Sequence, residues 1–284
     1  MTANPWTSRH GVAIPRIIYG TAWKKDRTAG LVEQAIALGF RGIDTACQPK
    51  HYDEAGVGAG VAAALKSGLG RHDLYLQTKF TPLSGQDPSR VPYDPTAPLA
   101  RQVAQSFERS QKNLGTDTVD CLVLHSPLAN PADLRTVWSA MEAVFESGGA
   151  RQLGLSNCYD PTLFRHLCET ARIKPAVLQN RFYAQTGFDR MIRADCRKNG
   201  IFYQSFWTLT ANPEILAHAT VKSLMEKYRR TGPQIFFRYL SQIEIIPLTG
   251  TTSAVHMKDD LSIFDFELTG DECRSMAAYF PGGD

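Results

Sequence analysis

The chain has no paired cysteine motif. Its six cysteines, at 47, 121, 158, 168, 196 and 273, form no C-x-x-C unit and no Cys/His spacing of a zinc site. Several lie in apolar runs such as "VDCLVLH" and "RHLCETA", where a reduced thiol behaves as a small hydrophobe. No block of Lys or Arg is long enough to track phosphates, and a net charge of +3 with a pI near 8.5 is too mild to argue for nucleic acid. That modest basicity suits an anionic cofactor. No apolar run approaches membrane-spanning length, and "MTANPWTSRHG" carries no apolar core of signal-peptide length. The expectation is a cytoplasmic protein with free thiols, no membrane and no nucleic-acid partner. No linker separates a second domain, and no Gly-x-Gly-x-x-Gly turn follows the first strand-like segment, which weighs against a doubly wound sheet.

What is present is alternation. Short apolar, β-branched runs occur at 17–21, 42–46, 74–80, 119–126, 152–157, 176–182, 201–207 and 244–249. Amphipathic segments such as "TAGLVEQAIALGF" and "PTLFRHLCETARI" fill the intervals. Asp160-Pro161 reads as a helix start, Gly39 and Asn199-Gly200 as helix stops, and Pro233 as a break in the stretch 213–241. The glycines of "GVGAGV" at 56–61 read as close helix packing. Eight strands alternating with helices predict a single (β/α)₈ TIM barrel over 1–284, with a long Pro/Ser/Asp-rich loop at 81–98 on the substrate side.

In such a barrel chemistry sits at the C-terminal ends of the strands. There the sequence puts Asp44, Lys79 and His125 on three adjacent strands, with Tyr52 on the loop after the first of them. Each alone has a bland reading: a turn cap, a lysine reaching for water, a core histidine, a packed phenol. Together they make a proton-transfer site. Asp44 and Lys79 should pair, because an unpaired buried charge is costly. A cation beside Tyr52 should lower the phenol's pKa from about 10 toward neutrality.

The stretches "GFRGIDTA", "HYDEAGVG", "LQTKF", "LVLHSP", "LGLSN", "LQNRF" and "IIPLTGTTS" run in order through nearly the whole chain. On them the protein resembles the aldo-keto reductases, in a fungal-type, short-tailed form. The resemblance implies NAD(P)H-dependent reduction of an aldehyde or ketone, with Asp44, Tyr52, Lys79 and His125 as the catalytic tetrad and Tyr52 as general acid. His51 is then a loop neighbour rather than a metal ligand. The loop between Asp44 and Tyr52 is longer than in the commonest members because of "CQPK", which leaves Tyr93 and Tyr183 as competitors for Tyr52's role. The resemblance further implies a cofactor face of Thr21, Ser156, Asn157, Gln179, Phe206, Thr249, Gly250, Thr251, Thr252, His256 and Asp260. Phe206 would stack on nicotinamide, and 249–252 would form an anion site ahead of a helix. Leu248 and His256 stand where NADP-preferring members have Lys and Arg. Lys258 would compensate, and Asp260 would face the adenine. NADP(H) is therefore only slightly preferred over NAD(H).

Trp23, Tyr93 and Trp207 are the expected substrate residues. A chain that ends at "MAAYFPGGD" suggests an open pocket suited to a bulky carbonyl such as a secondary metabolite. Monomer or weak homo-oligomer is the expected state. Two other readings stand beside this one. Lys79 near Asp44 and Tyr52 also suits a Schiff-base lyase or aldolase, and the barrel would also serve as a cofactor-binding regulatory subunit with little catalysis.

Overall fold

The computed structural model describes residues 4–280. Eight parallel strands close into a barrel: β3 (Ile18–Gly20), β4 (Gly42–Asp44), β5 (Tyr75–Phe80), β6 (Cys121–Leu124), β7 (Leu153–Ser156), β8 (Val177–Arg181), β9 (Phe202–Phe206) and β10 (Ile245–Thr249), the last pairing back onto β3. All eight fall on the runs read from sequence. The architecture is the (β/α)₈ barrel. A small antiparallel pair, β1 (Trp6–Thr7) and β2 (Ala13–Ile14), precedes it.

Around the barrel lie α1 (Thr28–Leu38), α2 (Glu54–Lys66), α3 (Leu99–Leu114), α4 (Pro131–Glu146), α5 (Pro161–Thr170), α6 (Arg190–Lys198), α7 (Pro213–Ala217), α8 (Ala219–Tyr228), α9 (Gly232–Gln242), α10 (Ala254–Leu261) and α11 (Gly270–Ala277). Their ends obey local chemistry. Asp160 caps α5 by accepting from the amide of Thr162. Gly39 ends α1 at φ 121° and Gly200 follows α6 at φ 59°, conformations that glycine adopts without strain. Pro213 and Pro233 sit in the first turns of α7 and α9, so the stretch 213–241 is three helices. Within α2 a Cβ at Gly58 would lie 2.0 Å from the carbonyl oxygen of Asn113, and one at Gly60 2.5 Å from that of Ala29. Those glycines let α2 nest between α1 and α3. Among the described residues no helix is long and apolar enough to cross a membrane, and all six cysteines are free thiols.

Strand alternation decides what the barrel holds. Leu76 and Phe80 of β5 join the large core between sheet and helices, whereas Tyr75 belongs to the interior cluster of Val12, Ile14, Ile18, Cys121, Val123, Val177, Ile246 and Leu248. Val12 and Ile14 bring the β1–β2 hairpin into that cluster, against the N-terminal ends of the strands. Further along the same face of β5 come Gln77 and Lys79, both buried. The barrel thus turns from apolar to polar on the way to its C-terminal mouth.

Candidate active site

At the C-terminal end of β4, Asp44 takes four side-chain hydrogen bonds. The Lys79 ammonium donates to Oδ1 at 2.7 Å and Oδ2 at 2.6 Å, while the amides of Gln77 and Gln179 reach Oδ1 at 2.7 and 2.9 Å. The third ammonium proton has the Thr45 carbonyl at 2.8 Å. Gln77 and Gln179 also both donate to Gln204 Oε1, at 2.8 and 3.0 Å. Every member is buried, so the pair is held by a satisfied network rather than by solvent. Burial pushes the Lys79 ammonium below its ordinary pKa, and Asp44 opposes that shift.

The Tyr52 ring covers this pair, with the Lys79 Nζ 5.2 Å from its centroid. The His125 ring meets it edge-on at 6.0 Å. Tyr52 and His125 are both half-buried, and the Tyr52 hydroxyl has no hydrogen-bond partner among the described residues. The competitors are placed otherwise. Tyr93 is buried against Phe80 with its hydroxyl donating to the Thr81 carbonyl at 2.9 Å. Its phenol is thus spent on a backbone acceptor rather than free, which goes against the expectation of an open Tyr93 at the mouth: a tyrosine in a polar loop found a backbone acceptor and turned inward. Tyr183 lies beside Arg181.

The expected lowering of the Tyr52 pKa is also corrected. Burial first, then the Asp44 carboxylate, raise the phenol well above its usual value, because Lys79's charge is already matched by Asp44. The phenol is therefore held protonated, the form an acid needs. His125 is pushed well below the ordinary histidine range by burial, then by Lys79 and His51, and is neutral at physiological pH. Its Nδ1 lies 2.7 Å from the Thr81 hydroxyl, so that rotor sets which tautomer faces Tyr52.

The rest of the rim is mixed. Ser156 donates to the Gln179 carbonyl at 2.7 Å, and the Asn157 amide reaches the His125 carbonyl at 2.8 Å from a left-handed backbone, φ 51°. Thr21 is buried, its hydroxyl donating to the Asp44 carbonyl at 2.8 Å. Phe206 is half-buried at the end of β9. Gln179 does not stand free at the rim: its NH₂ group is spent inside the barrel. Trp23 and Trp207 are 56% and 50% exposed, both at positive φ (64° and 55°), with Trp23 packed on His51 at 4.0 Å. Side chains in such sparsely populated backbone regions cluster at functional sites.

The loop after β10 meets an unforeseen partner, Lys24, which is almost fully buried and donates to the Gly250 carbonyl. A Cβ on Gly250 would come within 3.4 Å of that ammonium. Thr251 accepts from the Tyr19 hydroxyl through its carbonyl at 2.9 Å. The amides of Thr251 and Thr252 have no acceptor among the described residues. Two free N–H groups, a cation and the start of α10 form a donor set that fits the anionic part of a nicotinamide dinucleotide.

Two expectations at this end are corrected. Lys258 lines a cavity of about 460 Å³ with Leu38, Phe40, Arg41 and Tyr75. Those residues belong to the N-terminal side of the barrel, so Lys258 is turned away from the cofactor loop. Asp260 is buried and accepts from the Thr249 hydroxyl at 2.7 Å, so neither side chain is presented to a nucleotide. His256 remains exposed on the first turn of α10.

Burial raises the Asp260 pKa to about 6, above the ordinary carboxylate value. The folded state then binds a proton more tightly than the unfolded one, and the associated stability is present below about pH 4 and lost as pH rises through 6. Asp260→Asn should therefore gain on the wild type by up to about 3 kcal/mol between pH 4 and pH 8, read as the difference in denaturation midpoint. A pH-independent difference would contradict the buried placement.

Comparison with known proteins agrees with this geometry. Residues 16–212 match the model of the Aldo/keto reductase family. The uncharacterized oxidoreductase YtbE of Bacillus subtilis is 28% identical over 275 residues, covering 96% of this chain and 91% of that protein. A crystal structure of an aldo/keto reductase from Brucella melitensis superimposes with a TM-score of 0.81 at 26% identity, over 97% of this chain and 98% of that one. The aldo-keto reductase AKR2E4 of Bombyx mori, solved with NADP, gives 0.81 at 25% identity, over 98% and 93%.

Proposed function

The chain belongs to the aldo/keto reductase family, whose members are NAD(P)H-dependent oxidoreductases, and from that premise we propose that it reduces an aldehyde or ketone with Tyr52 as the general acid. The observation that carries this is the unpartnered hydroxyl of Tyr52, whose half-buried ring lies beside the Lys79 ammonium and the His125 ring. The bound dinucleotide would supply the hydride. Tyr52 holds a proton at its phenol oxygen until an alkoxide develops, and an alkoxide is a strong enough base to take it. Neutral His125 orients the same oxygen. Lys79, fixed by Asp44, stabilises the phenolate left behind, a charge that exists only after transfer.

Phe206, Ser156 and Asn157 would flank the nicotinamide, and Lys24 with the amides of Thr251 and Thr252 would hold the diphosphate. His256, exposed on the first turn of α10, is a candidate for a 2′-phosphate, and Asp260 is turned inward where it opposes none. NADP(H) should thus be preferred by a small factor, with NAD(H) accepted. The half-exposed Trp23 and Trp207 support a wide mouth and a bulky carbonyl. Free thiols suit a reducing compartment such as the cytoplasm.

The Schiff-base alternative is disfavoured. It needs a neutral amine with a free lone pair, whereas three acceptors surround the Lys79 ammonium. The direct test is oxidation of NADPH, and separately NADH, in the presence of 4-nitrobenzaldehyde and a panel of bulkier aromatic ketones, followed at the reduced-nicotinamide absorbance band. No oxidation of either cofactor with any carbonyl would sink the reading.

A further inference from the structure

The mouth carries a cation that the carbonyl chemistry leaves unused. Arg181 is the last residue of β8, two positions beyond Gln179. Its guanidinium carbon lies 4.2 Å from the centroid of the Trp207 ring and 4.8 Å from that of Tyr183. Among the described residues no carboxylate, carbonyl or hydroxyl accepts from its side chain, and its Nε is buried without a partner. A buried, unpartnered Nε recurs at Arg16, Arg71 and Arg238, but Arg181 is the one of these four that stands at the C-terminal mouth with a whole guanidinium lacking an acceptor among the described residues. Arg71 and Arg151 pair with Asp120, Arg165 with Asp195, and Arg172 with Glu142. Arg16 also lies over two rings, but it donates to the Ser241 hydroxyl at 3.0 Å.

The surroundings of Arg181 are braced. Its backbone amide donates to the Tyr159 hydroxyl at 3.1 Å, which donates in turn to Asn157 Oδ1 at 3.3 Å. Tyr159 and Tyr183 meet edge-to-face at 6.3 Å. Trp207 is held at positive φ while half its surface faces solvent. A clip between β8 and β9 would need only apolar contact, which methionine or leucine supplies without burying an unsatisfied Nε. A guanidinium lying over ring faces instead keeps its in-plane N–H fork free for a planar, two-oxygen anion.

We propose that Arg181 is an anion anchor at the mouth, taking a carboxylate or phosphate group of the molecule bound there. The proposal rests on the reductase reading for its location, and its ligand chemistry has two sources. One is the carboxylate of an acidic carbonyl substrate. The other is the diphosphate of the dinucleotide.

The variants are Arg181→Met and Arg181→Lys, which keeps the charge but loses the fork. Apoprotein is titrated with benzoate and separately with inorganic pyrophosphate, following the tryptophan emission to which Trp207 contributes. Wild type should bind one of them with roughly tenfold or greater advantage over Arg181→Met, and Arg181→Lys should fall between. If the source is substrate, the kcat/KM ratio of 4-carboxybenzaldehyde to 4-methylbenzaldehyde also falls roughly tenfold in Arg181→Met. If it is cofactor, the Kd of NADPH and of NADH rises by a similar factor. Anion affinity, substrate ratio and cofactor affinity all unchanged in Arg181→Met would overturn the anchor. Arg181-dependent anion binding by a protein that reduces no carbonyl would keep the anchor and remove the reductase reading instead.

Discussion

Tyr52→Phe binds NADPH as the wild type does and reduces 4-nitrobenzaldehyde roughly 10²–10⁴-fold more slowly, the range over which a positioned general acid acts. The binding arm follows from geometry. The Tyr52 hydroxyl makes no hydrogen bond within the described protein, so its removal strands no buried partner and leaves the ring packed over Lys79 and against His125. The kinetic arm follows from electrostatics. Burial and Asp44 keep the phenol protonated at rest, so the hydroxyl contributes chiefly once charge develops on the carbonyl oxygen. An interaction made only in the transition state lowers kcat and leaves KM nearly unchanged. The measurement is quenching of tryptophan emission by NADPH beside steady-state turnover, and Trp23 and Trp207 at the mouth make the first sensitive. Turnover within about threefold of wild type would remove Tyr52 from the chemistry. Tyr93, whose hydroxyl is spent on the Thr81 carbonyl, would not replace it, and Tyr183 would be the next phenol to test.

How much of this was legible differs from residue to residue. The barrel strands were, because each is a run of β-branched and apolar residues bounded by turns, and β5 shows its alternation openly in "YLQTKF". The β1–β2 hairpin was not, because its strands are two residues long and carry no period. Asp44, Tyr52, Lys79 and His125 were legible as a group through motif order, whereas Gln77 and Gln204 were not. A single glutamine in an apolar strand gives no sign that it reaches across the barrel, as Gln77 and Gln204 do to each other, or that it donates to the carboxylate on the neighbouring strand, as Gln77 does to Asp44. Lys24 hid in "WKKD", which reads as a solvated charge run, although its ammonium is drawn under Gly250. Tyr93, Lys258 and Asp260 were misplaced for a shared reason. Position along a loop or helix does not say which way a side chain turns, and a carbonyl or hydroxyl within reach decided for Tyr93 and Asp260.

The second large effect belongs to the buried pair. Asp44→Ala should lose roughly 3–5 kcal/mol of stability together with nearly all turnover. The substitution leaves the Lys79 ammonium with only the Thr45 carbonyl and takes one of two acceptors from each of the Gln77 and Gln179 amides, which keep Gln204 Oε1. Burial already pulls the Lys79 pKa down and Asp44 is what opposes it, so without Asp44 the folded protein sheds the lysine proton more readily than the unfolded chain does. A base depressed in the folded state makes stability rise with pH up to its unfolded value near 10. The deficit of Asp44→Ala relative to wild type should therefore shrink from pH 6 to pH 9, which urea denaturation at the two pH values reads directly. The double variant Asp44→Asn/Lys79→Met removes both charges. It should regain most of the stability while remaining inactive, because a buried ion pair adds little net stability over a neutral replacement of similar volume. An Asp44→Ala protein as stable as wild type, or a deficit equal at both pH values, would mean that Lys79 reaches solvent and that the network around Asp44 does not hold it charged beneath Tyr52.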